Sequence, residues 1–320
     1  MKSQRTMKLC IALAMMAELV ALAPLRAQEA SAAPAVSVSM TVTASVAENK
    51  TMPEIKPQDV IVNQGKQRLQ LTDWVRAEGD HAGLDLFILI DDSANSSLGS
   101  QLDDLRAFIK SQPSTTLIGV GYMQNAVVKV SQDLTDDHGA AAKALRLPLG
   151  SVGAYGSPYL SVINLIKRWP AHPQNRREVI MVTDGVDRAR GGPQWPGLSI
   201  NPDVDSAGNL AQRNGIIIHT IYTPGAGRMH RNFYEANNGQ LGIAKLSDVT
   251  GGQSYFLGLQ DPVSFKPYLD DLQKVLDNQY LVKFAVKSGK KAGLQYVSFS
   301  TELAGVEFSA ANSAWVAAGK

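Results

Sequence analysis

The sequence has almost no cysteine: Cys10 is the only one among 320 residues. It lies inside an apolar stretch near the start, in a segment whose pattern is that of an export signal. Removal of that segment would leave the mature chain without a thiol. Disulfide bonds and thiolate chemistry are therefore excluded from the mature protein.

The chain also lacks the short motifs of common catalytic sites. Its five histidines include no His-Glu-x-x-His, and there is no Gly-x-Ser-x-Gly elbow and no glycine-rich phosphate loop. We interpret His219, in an apolar strand, as a core residue and His230 as a solvated loop residue. These absences favour a non-enzymatic protein. A hydrolase whose residues lie far apart in the sequence is the alternative from another functional class.

Long apolar runs are scarce as well. Only the run from Leu9 to Leu25 approaches the roughly 20 apolar residues of a membrane span, and Glu18 interrupts it. Three basic residues precede the run and small residues follow it, which predicts a secretory signal peptide at residues 1–27, with cleavage after Ala27 or Ala32. We expect an exported protein, periplasmic or extracellular, with no stable membrane span after cleavage.

Excess charge of either sign is missing from the predicted mature chain. The full sequence carries 31 basic and 29 acidic residues, a net charge of +2. Residues 1–27 hold four of the basic residues and one of the acidic ones, so the mature chain has a net charge of −1. The basicity belongs to the export signal, and nucleic acid is not an expected partner.

Among the patterns that are present, three apolar runs define the centre of the chain. Leu86–Ile90 is apolar on both faces and as long as one strand, which is typical of a buried parallel strand. Leu117–Met123 and Val179–Thr183 are similar, and helical patterns alternate with these runs. The alternation predicts an α/β fold with a doubly wound, mostly parallel sheet in three layers, and Leu86–Ile90 at its centre.

Both ends of the mature chain have the two-residue period of half-buried strands. The strand patterns are Val36–Thr43, Val60–Asn63 and Arg68–Trp74 near the start, and Tyr280–Val286, Leu294–Thr301 and Val306–Phe308 in the tail. We predict a small accessory β sheet built from both termini. The expected organisation is residues 28–80 as linker and accessory segment, 81–278 as the α/β domain, and 279–320 as a second accessory segment.

Small polar residues stand where the apolar runs end. The first run leads into Asp91-x-Ser93-x-Asn95, and the third leads into Thr183-Asp184-Gly185. Between them, Ser157 opens a helical stretch. Ligands of open α/β sheets bind at the carboxyl ends of the strands, so we expect these residues to share one crevice.

This set of motifs resembles the von Willebrand factor A domain. In that family the first strand ends in Asp-x-Ser-x-Ser, a later helix opens with Thr, and a later strand ends in a Thr-Asp-Gly turn. Asn95 stands here for the last Ser, and Ser157 for the Thr. The resemblance spans most of residues 36–308. Within the family, the arrangement resembles the secreted A-domain-related proteins of Acidobacteria.

The resemblance implies a metal-ion-dependent adhesion site, with Asp91, Ser93, Asn95, Ser157 and Asp184 as the metal residues. Hydroxyl, amide and carboxylate oxygens suit Mg²⁺, or Mn²⁺ or Ca²⁺, and an acidic side chain of a protein partner would complete the shell. The metal-free alternative is that the carboxylates cap helices and bind loop amides.

Two long loops, 186–202 and 223–238, follow strands that end at the same edge of the sheet. They supply the residue types of interface hot spots, and the predicted partner-binding residues are Arg190, Trp195, Arg228, Arg231, Phe233 and Tyr234. The alternative is that these side chains pack within the loops. The leading function is an exported protein-binding or adhesion module. The alternatives are the hydrolase and a structural subunit of a cell-envelope complex.

Overall fold

The structure is a computed structural model and describes residues 35–47, 50–150, 156–172, 174–189, 201–225, 233–256, 258 and 262–319. The predicted signal peptide lies outside these residues. The strands are β1 Ala35–Val46, β2 Val60–Gln64, β3 Gln67–Arg68, β4 Gln70–Arg76, β5 Leu84–Asp91, β6 Thr116–Gln124, β7 Val127–Thr135, β8 Arg176–Thr183, β9 Ile216–Tyr222, β10 Ser254–Tyr255, β11 Gln279–Lys287, β12 Gly293–Tyr296, β13 Ser298–Thr301, β14 Val306–Ala310 and β15 Ser313–Val316. The helices are α1 Gly99–Ser111, α2 His138–Lys143, α3 Pro158–Ile166, α4 Pro202–Asn214, α5 Phe233–Thr250 and α6 Lys266–Asp277.

A six-stranded sheet forms the centre, in the order β10-β9-β8-β5-β6-β7. All residues of β5 are buried, and β5 pairs in parallel with β6 on one side and β8 on the other. β7 runs antiparallel at one edge. The prediction that Leu86–Ile90 is the central strand, flanked by Leu117–Met123 and Val179–Thr183, is confirmed.

Helices cover both faces of this sheet. Alternate side chains of β5 point to opposite faces, and because they are apolar on both faces, each face needs a covering layer. Leu86, Ile88 and Ile90 belong to one core cluster, which also contains apolar residues of α1, α2 and α6. Phe87 and Leu89 belong to another, together with residues of α3, α4 and α5. The result is the predicted three-layer, doubly wound α/β fold.

The two ends of the described chain pair with each other in an antiparallel sheet of order β14-β1-β11-β4. Nine residue pairs join β1 to β11, from Ala35 opposite Lys287 to Thr43 opposite Gln279. Two smaller sheets, β13-β2-β3 and β12-β15, lie beside it. The predicted accessory sheet from both termini is therefore present, with a hydrophobic core of its own. The exact domain boundaries stay a prediction.

Four elements differ from the sequence-based prediction. The predicted strand Arg68–Trp74 is two strands, β3 and β4, in different sheets. The predicted strand Leu294–Thr301 is two strands, β12 and β13, in different sheets, because the chain changes partner at Val297, which is buried and donates its N–H to the Asn312 carbonyl at 3.0 Å. The strand β15 was not predicted. Residues 233–238, predicted as part of the second long loop, belong to α5, which begins at Phe233, so that loop ends earlier than expected. Among the described helices, none combines the length and apolarity that crossing a membrane requires.

Trp74 is the largest anchor of the accessory core. Its ring stacks on Tyr280 with centroids 4.4 Å apart, and its Nε1–H donates to the Ile55 carbonyl at 3.2 Å. We expect Trp74→Ala to lower the free energy of unfolding by roughly 3–5 kcal/mol, because it leaves a cavity and an unpaired carbonyl. Urea unfolding measures this change. Tyr296→Ala, at an exposed aromatic of β12, is the control and should change it by about 0.5 kcal/mol or less. Equal losses in both variants would contradict the assignment.

Candidate functional site

Two neighbouring parallel strands deliver the acidic residues of the candidate site. Asp91 is the last residue of β5, and Asp184 directly follows β8. The register places Ile90 beside Val182, so both strands end at one edge of the sheet. The Thr183 hydroxyl links them by donating to Asp91 Oδ2 at 2.7 Å.

The Asp91 carboxylate is buried and organises the turn that follows it. Its Oδ1 accepts hydrogen bonds from the Ser93 backbone N–H at 2.9 Å and the Ser93 hydroxyl at 2.7 Å. Burial raises the pKa of Asp91, and the negative charge of Asp184 raises it further, against the hydrogen bonds from Ser93 and Thr183. The two carboxylates therefore repel each other electrostatically, as neighbouring like charges do. A positive charge at this position relieves that repulsion.

The positive charge in this structure belongs to Arg188. Its Nη2 lies 2.6 Å from Asp184 Oδ2, while Asp184 Oδ1 accepts the Val186 N–H at 2.9 Å. Burial alone would lower the pKa of the Arg188 guanidinium, but the carboxylates of Asp184, Asp91 and Glu235 outweigh burial, and the pKa is raised. Arg188 thus remains a cation.

Two further oxygen donors were predicted, Ser157 at the start of α3 and Asn95 in the turn after β5. Ser157 caps α3, its Oγ accepting the Leu160 N–H at 3.3 Å. The Asn95 side-chain oxygen accepts the Ser97 N–H at 3.0 Å, and the Asn95 N–H donates to the Pro224 carbonyl at 3.3 Å. Each of these oxygens therefore already accepts one hydrogen bond.

A shallow, open cleft lies over this edge of the sheet. Of the five described residues predicted to hold the metal, Asp91, Ser93 and Ser157 line the cleft, together with Arg188. Asp184 reaches it through its pair with Arg188, and Asn95 lies two residues beyond Ser93 in the same turn. Residues 123–126 also line the cleft, so the fold brings together four separate segments of the sequence.

A close backbone contact fixes the turn after β8. Gly185 adopts a φ of +70°, and its carbonyl accepts the Tyr159 hydroxyl at 2.8 Å. Gly239 of α5 lies against this turn, and a Cβ at Gly239 would be 2.2 Å from the Asp184 carbonyl oxygen. Only glycine lets the helix approach this closely. The position of Asp184, and with it that of Arg188, depends on this contact.

Asp92, the neighbour of Asp91, has a different role. Arg146 holds its carboxylate by two hydrogen bonds of 2.7 and 2.8 Å, and the Leu149 N–H adds a third at 3.0 Å. These interactions outweigh burial and lower the pKa of Asp92. The Arg146 guanidinium also lies 3.7 Å from the centroid of the Tyr122 ring. Asp92 therefore anchors the segment after α2, which agrees with the alternative that some of these carboxylates bind loop groups without a metal.

Sequence reasoning missed both arginines, Arg146 and Arg188. The contact of Arg146 with Asp92 spans 54 residues, and no sequence pattern signals it. Arg188 lies four residues after Asp184, but this segment is not helical, so the spacing rule for helical ion pairs does not predict the contact. In the sequence Arg188 stands only as one of the arginines of a predicted interface loop.

The cleft supplies some, but not all, of the groups that hold divalent metals in proteins. Within the described part of the chain there is no group of three or more His, Cys, Asp or Glu side chains that could hold a metal. The hydroxyls of Ser93 and Ser157 and the carboxylate of Asp91 are nevertheless the hard oxygen donors that Mg²⁺, Mn²⁺ and Ca²⁺ prefer. The residues thus fit such an ion in chemical type. The competing charge is that of Arg188.

Of the predicted partner-binding residues, Phe233 and Tyr234 lie on the first turn of α5 and not in a loop, which corrects the expectation. Each is 62% exposed, and their rings meet edge to face with centroids 5.9 Å apart. The other four, Arg190, Trp195, Arg228 and Arg231, lie outside the described residues.

His219 is a core residue, as interpreted from the sequence. Its Nε2 lies 2.7 Å from Glu178 Oε2, and its Nδ1 accepts the Gln253 N–H at 3.0 Å. Both side chains of the pair are completely buried. The pair lies between β8 and β9 away from solvent, and it is not a candidate catalytic group. His230 lies outside the described residues.

Counted from β5 as the first strand, the central sheet has the order 3-2-1-4-5-6, and the acidic turns follow strands 1 and 4, where the order reverses. The fold is of the von Willebrand factor A type. Solved structures to which the chain is similar include a von Willebrand factor type A protein from Catenulispora acidiphila, with a TM-score of 0.45, 9% identity, and coverage of 89% of this chain and 75% of the other.

Two further similar structures are BatB from Bacteroides thetaiotaomicron and the manganese-loaded TRAP protein of Plasmodium vivax. BatB has a TM-score of 0.42 and 13% identity, with coverage of 60% of this chain and 97% of the other. TRAP has a TM-score of 0.43 and 14% identity, with coverage of 75% and 96%. No family model and no curated protein matches the sequence. The similarity concerns the fold alone, and the resemblance to proteins of Acidobacteria stays a prediction.

The contact between α5 and the Asp184 turn gives a prediction of its own. Alanine normally stabilises a helix interior relative to glycine by about 1 kcal/mol. At Gly239 we expect the opposite, a lower melting temperature, because the new Cβ would displace the Asp184 carbonyl. Gly99→Ala, in the first turn of α1, is the matched control and should not be destabilising, because its new methyl group would have no atom within 4 Å. A stabilised Gly239→Ala variant would contradict the close approach.

Proposed function

We propose that this chain is an exported, non-enzymatic protein-binding module of the von Willebrand factor A type. The observation that supports it is the convergence of Asp91, Ser93, Ser157 and Arg188 on one cleft at the carboxyl ends of β5 and β8. This is the edge at which open α/β sheets bind ligands. The predicted signal peptide supports export to the periplasm or beyond.

Ser93, Asn95 and Ser157 would hold a divalent metal directly or through water, with Asp91 and Asp184 balancing its charge. The bound metal supplies a coordination position for an acidic side chain of the protein partner. The chain's own groups prepare this site. Thr183 fixes one oxygen of Asp91, and the Ser93 hydroxyl gives its hydrogen to the other. Because the hydroxyl hydrogen of Ser93 is donated to Asp91, the lone pairs of the Ser93 oxygen would be available to a cation.

Phe233 and Tyr234 extend the proposed binding surface beyond the cleft. Both rings are largely exposed, and aromatic side chains are enriched among the residues that dominate binding energy. Glu235, the next residue on α5, interacts electrostatically with Arg188. The start of α5 is therefore coupled to the cleft by charge, and a partner that contacts the cleft would meet these rings at the same time.

The metal part of the proposal predicts a thermal effect. Binding to the folded state alone stabilises it by about 2.7 kcal/mol at a hundredfold excess of metal over Kd, and each kcal/mol raises the melting temperature of a domain of this size by roughly 2–4 °C. We expect millimolar Mg²⁺ or Mn²⁺ to raise the melting temperature relative to EDTA. Asp184→Ala and Ser93→Ala should abolish the rise, and Asn95→Ser should increase it.

The control for this experiment is Ser100→Ala, at an exposed serine of α1 outside the cleft, which should respond to metal as the unmodified protein does. Melting curves that superimpose with metal and with EDTA, for both the unmodified protein and Asn95→Ser, would count against a metal site. Binding would then have to be sought in the two long loops.

The protein-binding part predicts capture of a defined partner from a cell-envelope extract. A Phe233→Ala, Tyr234→Ala double variant should lose that partner, because it removes two exposed rings, while Leu241→Ala, at another exposed apolar residue of α5, should keep it. Quantitative mass spectrometry of the captured proteins is the measurement.

A fixed stoichiometric complex would instead favour the structural subunit. Turnover of esterase, phosphatase or peptidase substrates that one cleft substitution abolishes would favour the hydrolase.

A further inference from the structure

The cleft contains a cation that belongs to the chain itself. The Arg188 guanidinium forms an ion pair of 2.6 Å with Asp184 and also interacts with the charge of Asp91. These are the two carboxylates that would balance a bound metal. The side chain of Arg188 is 17% exposed, and it lines the cleft alongside Ser93 and Ser157. Arg188 and a divalent cation would therefore neutralise the same two carboxylates, Asp91 and Asp184.

The backbone holds Arg188 at this position. Its N–H donates to the Gly156 carbonyl at 2.7 Å, which ties it to the residue before Ser157. Its Nη1 donates to the Val186 carbonyl at 3.3 Å, within the turn that Gly185 begins. Arg188 is thus tied to the α3 side through its backbone N–H and to the β8 side through its guanidinium. It is pre-positioned by the same turn that positions Asp184.

We propose that Arg188 is a built-in counter-cation that competes with a divalent metal for Asp184 and Asp91, so that the metal binds weakly until Arg188 is displaced. This inference rests on the proposed metal-dependent function and adds a means of regulating the same cleft. With both carboxylates ionised, Asp91, Asp184 and Arg188 together carry one negative charge. A divalent ion added beside Arg188 makes the set positive, whereas displacement of Arg188 makes it neutral.

The charge balance also indicates what would load the cleft. A carboxylate from a partner protein neutralises the set that contains both the metal and Arg188, and a guanidinium binds carboxylates well. An acidic partner would therefore favour the metal-bound cleft. Without metal, Arg188 would stay paired with Asp184. Arg188 acts here by occupying Asp184 in place of the metal, and it is not a metal ligand.

Titration of the full chain with Mn²⁺, followed by the electron paramagnetic resonance signal of the free ion, tests this proposal. Arg188→Gln should bind Mn²⁺ at least about tenfold more tightly than the unmodified protein, because a like charge is removed from beside the site. Arg188→Lys keeps the charge and should bind close to the unmodified level. Arg106→Gln removes the same charge from a surface pair with Asp103 and should leave the affinity unchanged.

Each other outcome has a definite meaning. Equal affinities in the unmodified protein and Arg188→Gln would overturn the competition and leave the metal site standing, with Arg188 as a loop anchor only. Absence of Mn²⁺ binding in every variant would overturn both the competition and the metal part of the proposed function.

A second measurement covers the case in which Arg188→Gln does not fold. In the unmodified protein, ¹⁵N NMR of the arginine side chains during a Mg²⁺ titration should show the Arg188 signal change as its pair with Asp184 opens. The Arg106 signal is the internal reference. A Mg²⁺-saturated protein with an unchanged Arg188 signal would overturn the proposal.

Discussion

The constraint on which the cleft depends is the pairing of two parallel strands that each end in a carboxylate. Because β5 and β8 are hydrogen-bonded neighbours, their ends cannot separate, and Asp91 and Asp184 are held together at the edge of the sheet. Burial makes this arrangement costly, as the raised pKa of Asp91 indicates. The surrounding groups, namely the Thr183 hydroxyl, the Ser93 turn and the Arg188 guanidinium, offset that cost. The features of the cleft follow from the need to stabilise these two charges.

The sequence was a good guide where function and burial leave a local pattern. Asp91 and Asp184 could be placed together because each ends an apolar run that is typical of a buried parallel strand, and such strands end at a common edge. Ser157 could be placed because a serine before a helix start is a cap. The accessory sheet was also predictable, since its strands alternate with period two at both ends of the chain. All of these signals lie within a few residues of the feature that they predict.

What could not be predicted depends on contacts between distant segments or on backbone conformation. Arg146 reaches Asp92 across 54 residues, and its neighbours in the sequence give no sign of this. The position of Arg188 depends on the positive φ of Gly185 and on the close approach of Gly239, which are set by packing of α5. At Val297 the apolar positions change phase, from Leu294 and Tyr296 to Val297 and Phe299, where the chain moves from one sheet to another. The change of phase marks a break but does not name the new partner strand. A local pattern carries no information about which partner strand is chosen.

The pairing of β4 with β11 has a mechanical consequence. These strands lie immediately before and after the central α/β unit, and they are joined by the pair Arg76 and Tyr280 and by the Ala77 N–H, which donates to the Gln279 carbonyl at 2.9 Å. Tension applied between β1 and β15 would pass from β1 directly to β11 and β14, and once β1 is pulled free, from β4 to β11. In both cases the load bypasses the central sheet. The central α/β unit, which carries the cleft, therefore lies outside the path of the load, and the β4–β11 pairing holds its two ends together. A protein that holds a partner under force would keep its cleft intact until that pairing opens.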